Sequence, residues 1–241
     1  MSFSENLQQI TRRIAAACAQ HGKDPARIEV LAVSKTFPAA VVETAIAAGA
    51  TQFGENYVQE GLEKIAALSA YRDTLTWHFI GPLQSNKTRD VAEQFDWMHA
   101  IDREKIARRL SEQRPATLAP LQVCVQVNVS GEDSKSGVAP QEAQALALEI
   151  AGLPNLTLRG LMAIPEPSPD EALQRARFRM LGELFRDIRK KLEPAGQAQF
   201  NVLSMGMSAD LEAAVAESIP EATTMVRIGT ALFGQRGRPG N

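Results

Sequence analysis

The sequence predicts an α/β protein, a single-domain (β/α)8 TIM barrel with one extra helix at its N-terminus. Three observations carry that expectation. Short apolar runs alternate with helical stretches eight times after one leading helix, and parallel strands joined by helices are the usual solution to such alternation. The pattern uses nearly all of the 241 residues, and a closed barrel of this kind needs about 250. A glycine-rich turn after the first strand is missing, which makes a doubly wound open sheet the runner-up.

The leading helix is expected over 3–21. Leu7, Ile10, Ile14 and Cys18 share one face, and Ser2 with Glu5 has the spacing of a capping box. Strand 29–34 then leads to helix 39–48, which Gly49 stops. Strand 52–53 leads to helix 58–68, strand 76–80 to helix 87–94, and strand 97–99 to helix 103–113. Strand 121–129 alternates Val123, Val125, Val127 and Val129, and a polar loop over 130–137 connects it to helix 140–151. Strand 156–161 precedes a proline-rich loop and a long helix ending near Leu192. Strand 200–203 leads to helix 209–217, and strand 223–228 to a short helix over 230–233. One domain over 1–235 is expected, with a flexible Gly/Pro-rich tail over 236–241.

Composition narrows the function classes. The chain is 44% hydrophobic and 22% charged, with a net charge of −2 and a pI near 6.0. Such a balance gives no general drive toward nucleic acid or an anionic membrane, so any anion site must be local. No run of about 18 uninterrupted apolar residues occurs, and no signal-peptide pattern opens the chain. Cys18 and Cys124 are far apart, without metal-type spacing, and are expected to be small buried thiols. A cytoplasmic location is expected.

The chemistry is expected at the strand ends, where barrels of this class place their sites. Lys35 closes the first strand, Ile28-Glu-Val-Leu-Ala-Val-Ser-Lys35. A partly desolvated amine there can attack a carbonyl and form a Schiff base. Two segments pair glycine with hydroxyls, Ser204-Met-Gly-Met-Ser208 after strand 7 and Arg227-Ile-Gly-Thr230 after strand 8. Phosphate commonly binds the loops after these two strands, where glycine lets backbone N–H groups approach an oxyanion. A lysine for an aldehyde beside a phosphate cradle suggests pyridoxal 5′-phosphate (PLP). Arg227 could contact the cofactor or make a structural ion pair. Asn56 could reach a ring hydroxyl or cap a helix. His78 reads as a core histidine, and His99 faces the mouth at best. With His21 remote, no metal constellation emerges. Lys87 and Lys135 read as exposed, with a second anion contact as the lesser alternative.

These blocks carry a resemblance. Leu31-Ala-Val-Ser-Lys35, Phe53-Gly-Glu-Asn-Tyr57, Trp77-His-Phe-Ile-Gly-Pro-Leu-Gln-Ser-Asn-Lys87, Gly160-Leu-Met162, Ser204-Met-Gly-Met-Ser208 and Val226-Arg-Ile-Gly-Thr230 occur in order and span most of the chain. Together they resemble the pyridoxal phosphate homeostasis proteins, which are similar to the barrel domain of alanine racemases. The resemblance implies that Lys35 holds PLP as a covalent aldimine. It also implies that Ser204, Gly229 and Thr230 hold the phosphate, with Met205 or Gly206 lining that loop. Arg227 would face the pyridine nitrogen, and Asn56 would lie beside the ring.

A permanent cation at the ring nitrogen disfavours pyridinium formation, and an unprotonated ring is a poorer electron sink. A racemase also needs a second base, and Tyr57 and Tyr71 are the sole tyrosines. The expectation is therefore a non-catalytic PLP carrier that serves intracellular PLP homeostasis. It would be monomeric, would bind no nucleic acid or membrane, and could pass PLP to PLP-dependent apoenzymes. The alternatives are a PLP-dependent amino-acid racemase and a class I aldolase using Lys35.

Overall fold

The computed structural model describes residues 2–131 and 136–234. Eight parallel strands close into a barrel in chain order: β1 (Ile28–Val33), β2 (Gln52–Glu55), β3 (Thr76–Phe79), β4 (Trp97–Ile101), β5 (Leu121–Gln126), β6 (Leu156–Met162), β7 (Val202–Ser204) and β8 (Thr223–Ile228). The closing pair is β1 with β8, in register from Ile28 opposite Thr224 to Ala32 opposite Ile228. Sequence order therefore becomes spatial order, and the loops after β7, β8 and β1 are neighbours. The expected tail at 236–241 and the loop lysine Lys135 lie outside the described residues.

Helices cover the outside of the barrel: α1 (Phe3–His21), α2 (Ala39–Ala47), α3 (Val58–Ala67), α4 (Thr88–Gln94), α5 (Glu104–Gln113), α6 (Pro140–Ala151), α7 (Glu171–Arg189), α8 (Pro194–Gln199), α9 (Leu211–Ala216) and α10 (Thr230–Phe233). The expected capping box is present at α1, where Glu5 N–H donates to Ser2 Oγ and Ser2 N–H donates to Glu5 Oε2. Gly22 ends this helix in the left-handed conformation at φ 62°. Its apolar stripe, Ile10, Ile14, Ala17 and Cys18, is buried.

Helix α1 also supports the site end of the barrel. Asn6 Nδ2 donates to Leu232 O at 2.8 Å, Arg13 pairs with Glu212 at 2.8 Å, and Phe3 meets the Phe233 ring at 5.2 Å. These contacts tie α1 to α9 and α10, the two short helices that follow β7 and β8.

Three elements differ from expectation. Strand β5 stops at Gln126 because Val127 and Asn128 turn to pair with Val138, which returns from the following loop. Its valine alternation does not mark one wet face, because Val123, Cys124 and Val125 are all fully buried between barrel interior and helices. The segment before β7 forms the unanticipated α8, which delays the strand to Val202. Phe200 closes that helix and stacks on Phe185 at 4.5 Å. Cys18 and Cys124 are buried free thiols, as expected, and burial pushes Cys124 up to about 12.

Candidate functional site

A cavity of about 290 Å³ opens at the C-terminal end of the barrel. Val33, Lys35, Asn56, Arg227, Gly229 and Thr230 line it from β1, β2 and β8, and Met207, Ser208 and Ala209 line it from the loop after β7. Five sequence-derived candidates thus meet in one place: Lys35, Asn56, Arg227, Gly229 and Thr230. Apolar walls come from Phe37, Ile80 and Ile164. Phe37 stacks on Phe233 at 5.1 Å, so this wall rests on the same aromatic cluster that anchors α1.

The backbone on both sides of Lys35 is pinned. Lys64 of α3 is 4% exposed, and its ammonium donates to Ser34 O, Glu55 Oε1 and Glu60 Oε1, each at 2.7 Å. That satisfies all three of its donors. Glu60 accepts from the Thr36 N–H, and Glu55 accepts from Ser34 Oγ at 2.5 Å. Thr36 sits at φ 68°, uncommon for a β-branched residue and held here by the surrounding bonds. Glu55 is fully buried; burial raises its carboxyl pKa, and Lys64 opposes that rise. Sequence inspection missed Lys64 and Glu60, which read as the polar face of an amphipathic helix. The i,i+4 spacing of Glu60 and Lys64 was the available signal.

Asn56 follows β2 and leans against the loop after β3. A Cβ on Gly81 would lie 2.2 Å from Asn56 O, so a side chain there would displace the asparagine. Asn56 lines the cavity, and its Oδ1 is buried and has no hydrogen-bond partner among the described residues.

The loop after β7 divides into two parts. Ser204 and Met205 are fully buried and Gly206 is buried, and none of the three lines the cavity. Gly206 adopts φ 90°, where a Cβ would lie 2.5 Å from Ala214 Cβ, and its carbonyl accepts from Arg227 N–H at 2.9 Å. Ser204, expected to hold a phosphate, and Met205 and Gly206, expected to line that loop, stand behind the cavity wall rather than on it. The chain turns at Gly206 and presents Met207 and Ser208 to the cavity instead.

Arg227 is 4% exposed and reaches the cavity from within the barrel wall. Its Nη1 donates to Ser204 Oγ and its Nη2 to Ala163 O, both at 2.8 Å. Burial lowers its pKa to about 10, partly offset by Asp210, so the guanidinium remains a cation at neutral pH. Ser204 Oγ lies 2.8 Å from His99 Nδ1, and His99 Nε2 lies 2.9 Å from His78 Nδ1. Strands β4 and β7 are not neighbours, so this chain of side chains crosses the barrel interior. Both histidines are fully buried. Burial lowers His78 to about 3 and holds His99 well below the usual range, so both imidazoles are neutral near pH 7. Among the described residues no cluster of His, Cys, Asp or Glu could hold a metal ion, and no helix is long and apolar enough to cross a membrane.

A closed parallel barrel with a lysine at the end of its first strand, sharing one mouth cavity with polar groups that follow its last two strands, defines the class of (β/α)8 barrels with a site at the strand ends. Comparisons with known proteins place the chain more closely. The family model for the alanine racemase N-terminal domain matches residues 5–237. The pyridoxal phosphate homeostasis protein of Pseudomonas aeruginosa is 56% identical over 98% of this chain and 96% of its own length. Its counterpart in Escherichia coli K12 is 50% identical over 97% of each. The solved structure of PipY from Synechococcus elongatus with PLP bound superposes with a TM-score of 0.77. It is 35% identical, covering 93% of this chain and all of that one. Alanine racemase of Clostridium difficile shares the fold alone, at 17% identity, a TM-score of 0.66 and coverage of 98% of this chain and 58% of that one. The chain belongs to the pyridoxal phosphate homeostasis protein family.

Proposed function

We propose that this protein binds PLP at the barrel mouth with Lys35 as the covalent attachment point, and holds it without strong turnover as part of intracellular PLP homeostasis. The residues fit the cofactor. The cavity offers an amine, a buried cation, an unpartnered amide oxygen, two hydroxyls and apolar walls. PLP, when bound, supplies an electrophilic aldehyde and a conjugated ring able to act as an electron sink. Lys35 is the nucleophile toward that aldehyde, and the Lys64 network fixes its backbone. Arg227 meets the pyridine nitrogen and Asn56 lies beside the ring. Ser208, Gly229 and Thr230 take the phosphate, on the loops that commonly do so in this fold.

One observation carries the non-catalytic part. Among the described residues that line the cavity, Lys35 is the sole amine, and no histidine, tyrosine or carboxylate lines it. Tyr57 is 59% exposed and lines a neighbouring cavity, and Tyr71 bonds to Glu43. A racemase needs a base on each face of the substrate. The Arg227 cation also disfavours the protonated ring that would best stabilise a carbanion. The protein accordingly keeps a reactive aldehyde protected, and the partners that would receive it are PLP-dependent apoenzymes. A monomer in the cytoplasm completes this account.

Borohydride reduction of the loaded protein followed by peptide mapping tests the attachment point. The cofactor mass is expected on the peptide that contains Lys35; its appearance on another lysine refutes the assignment. The racemase alternative is tested by incubating the loaded protein with L-alanine in heavy water. Little or no α-deuteration is expected, and exchange at enzyme-like rates would overturn the carrier role.

A further inference from the structure

Arg227, Ser204, His99 and His78 form an unbroken series of buried contacts, and its first member fixes the direction of the first hydrogen bond. A guanidinium has donors only. Arg227 Nη1 therefore donates to Ser204 Oγ, and two proton orders remain for the rest.

In the first order, the Ser204 hydroxyl donates to His99 Nδ1 and His99 Nε2–H donates to His78 Nδ1. Only the His78 Nε2–H then lacks a partner among the described residues. In the second order, His99 Nδ1–H donates to Ser204 and His78 Nδ1–H donates to His99 Nε2. Among the described residues the Ser204 hydrogen then has no acceptor, and His78 Nε2 is left as an unpaired acceptor. Each unpaired buried polar group carries a full desolvation penalty, so one is favoured over two. Two protonated rings are ruled out by their mutual contact, their burial and the Arg227 cation beside them.

We propose that Ser204, His99 and His78 form a one-way hydrogen-bond chain that positions Arg227 at the cofactor ring, and that Ser204 belongs to this chain rather than to the phosphate site. The proposal rests on the assignment of Arg227 to the ring nitrogen made above. Its consequence is that the guanidinium is anchored by two bonds, to Ser204 and to Ala163 O, in a residue that lines the cavity. The phosphate is left to Ser208, which does line the cavity.

Two measurements test it. Histidine ring ¹⁵N NMR of the protein without added cofactor reads the tautomers directly and needs no variant. Both His99 and His78 are expected to carry the proton on Nε2 and to be bare on Nδ1; a proton on His99 Nδ1 overturns the chain. The second measurement titrates Ser204→Ala with PLP and with pyridoxal, which lacks the phosphate. A positioning role predicts that both ligands weaken by the same factor, on the order of tenfold, and that the visible band shifts in the same direction as in Arg227→Ala. A loss confined to PLP with pyridoxal unchanged returns Ser204 to the phosphate site and overturns the proposal. An unchanged spectrum in Arg227→Ala refutes the ring contact, and the positioning role with it, while the tautomers still report on the chain alone.

Discussion

Individual buried residues in and around the barrel act mainly through what they hold. Lys64 never reaches the cavity, yet it fixes the carbonyl of Ser34 and neutralises Glu55. Lys64→Met would leave Glu55 buried without its cation. A loss on the order of 3–5 kcal/mol is expected from urea unfolding, because an uncompensated buried charge costs far more than the pair gains. His78 makes a different prediction, about pH. Its folded pKa is lowered to about 3, whereas an unfolded imidazole titrates near 6.5. Below that value the unfolded chain takes up protons that the native state refuses, so stability falls as pH drops, and above it His78 contributes nothing. Between about pH 7 and about pH 5, before most carboxylates titrate, the urea midpoint is expected to fall in the wild type and to fall less in His78→Gln. An equal fall in both would show that His78 does not carry this dependence. Lys35 was legible in the sequence because a strand end fixes its place at the mouth. That Ser208 rather than Ser204 lines the cavity was not legible, because a position after β7 does not say which way the chain turns. The turn depends on Gly206 fitting against Ala214. Lys64 was hidden for a related reason: its buried partners Ser34 and Glu55 come from β1 and β2, and helical periodicity alone sees only a polar face.

At the scale of elements, the site is built by the shortest ones. Strand β7 has three residues, and α9 and α10 have six and four. Such helices are not stable by themselves and depend on packing. Helix α1 supplies part of it through Asn6, Arg13 and Phe3. Gly206→Ala should disturb this region most. It adds a Cβ at φ 90° that would stand 2.5 Å from Ala214 on α9. A destabilisation of about 1–3 kcal/mol is expected by chemical denaturation, together with weaker PLP retention, since the turn sets where Ser208 points. Wild-type stability in this variant would mean that α9 yields freely and the turn is not constrained. The alternation of strand and helix made almost every element visible in the sequence, and boundaries mostly fell within one or two residues. The exceptions have local causes. Helix α8 is too short to show periodicity, and β5 ends early because Val127 and Asn128 find a partner in Val138, a pairing set by the loop's return path rather than by local propensity.

For the whole molecule, closure of the barrel is what turns scattered motifs into one site. Lys35 and the Arg227–Thr230 segment stand at opposite ends of the chain, and the β1–β8 pairing makes them neighbours. The hydrophobic core formed by the buried faces of strands and helices packs behind that arrangement, in which the amine, the cation and the hydroxyls line one cavity. The described cavity wall carries one amine, and no histidine, tyrosine or carboxylate lines it. The central claim is that the closed barrel makes Lys35 the tether for PLP, and the visible absorbance spectrum of the PLP-loaded protein tests it most directly. A band near ~420 nm is expected from the lysine-linked cofactor, and it should vanish in Lys35→Ala while the circular dichroism and melting temperature stay as in the wild type. A colourless wild type, or a band that survives intact in Lys35→Ala, would contradict it.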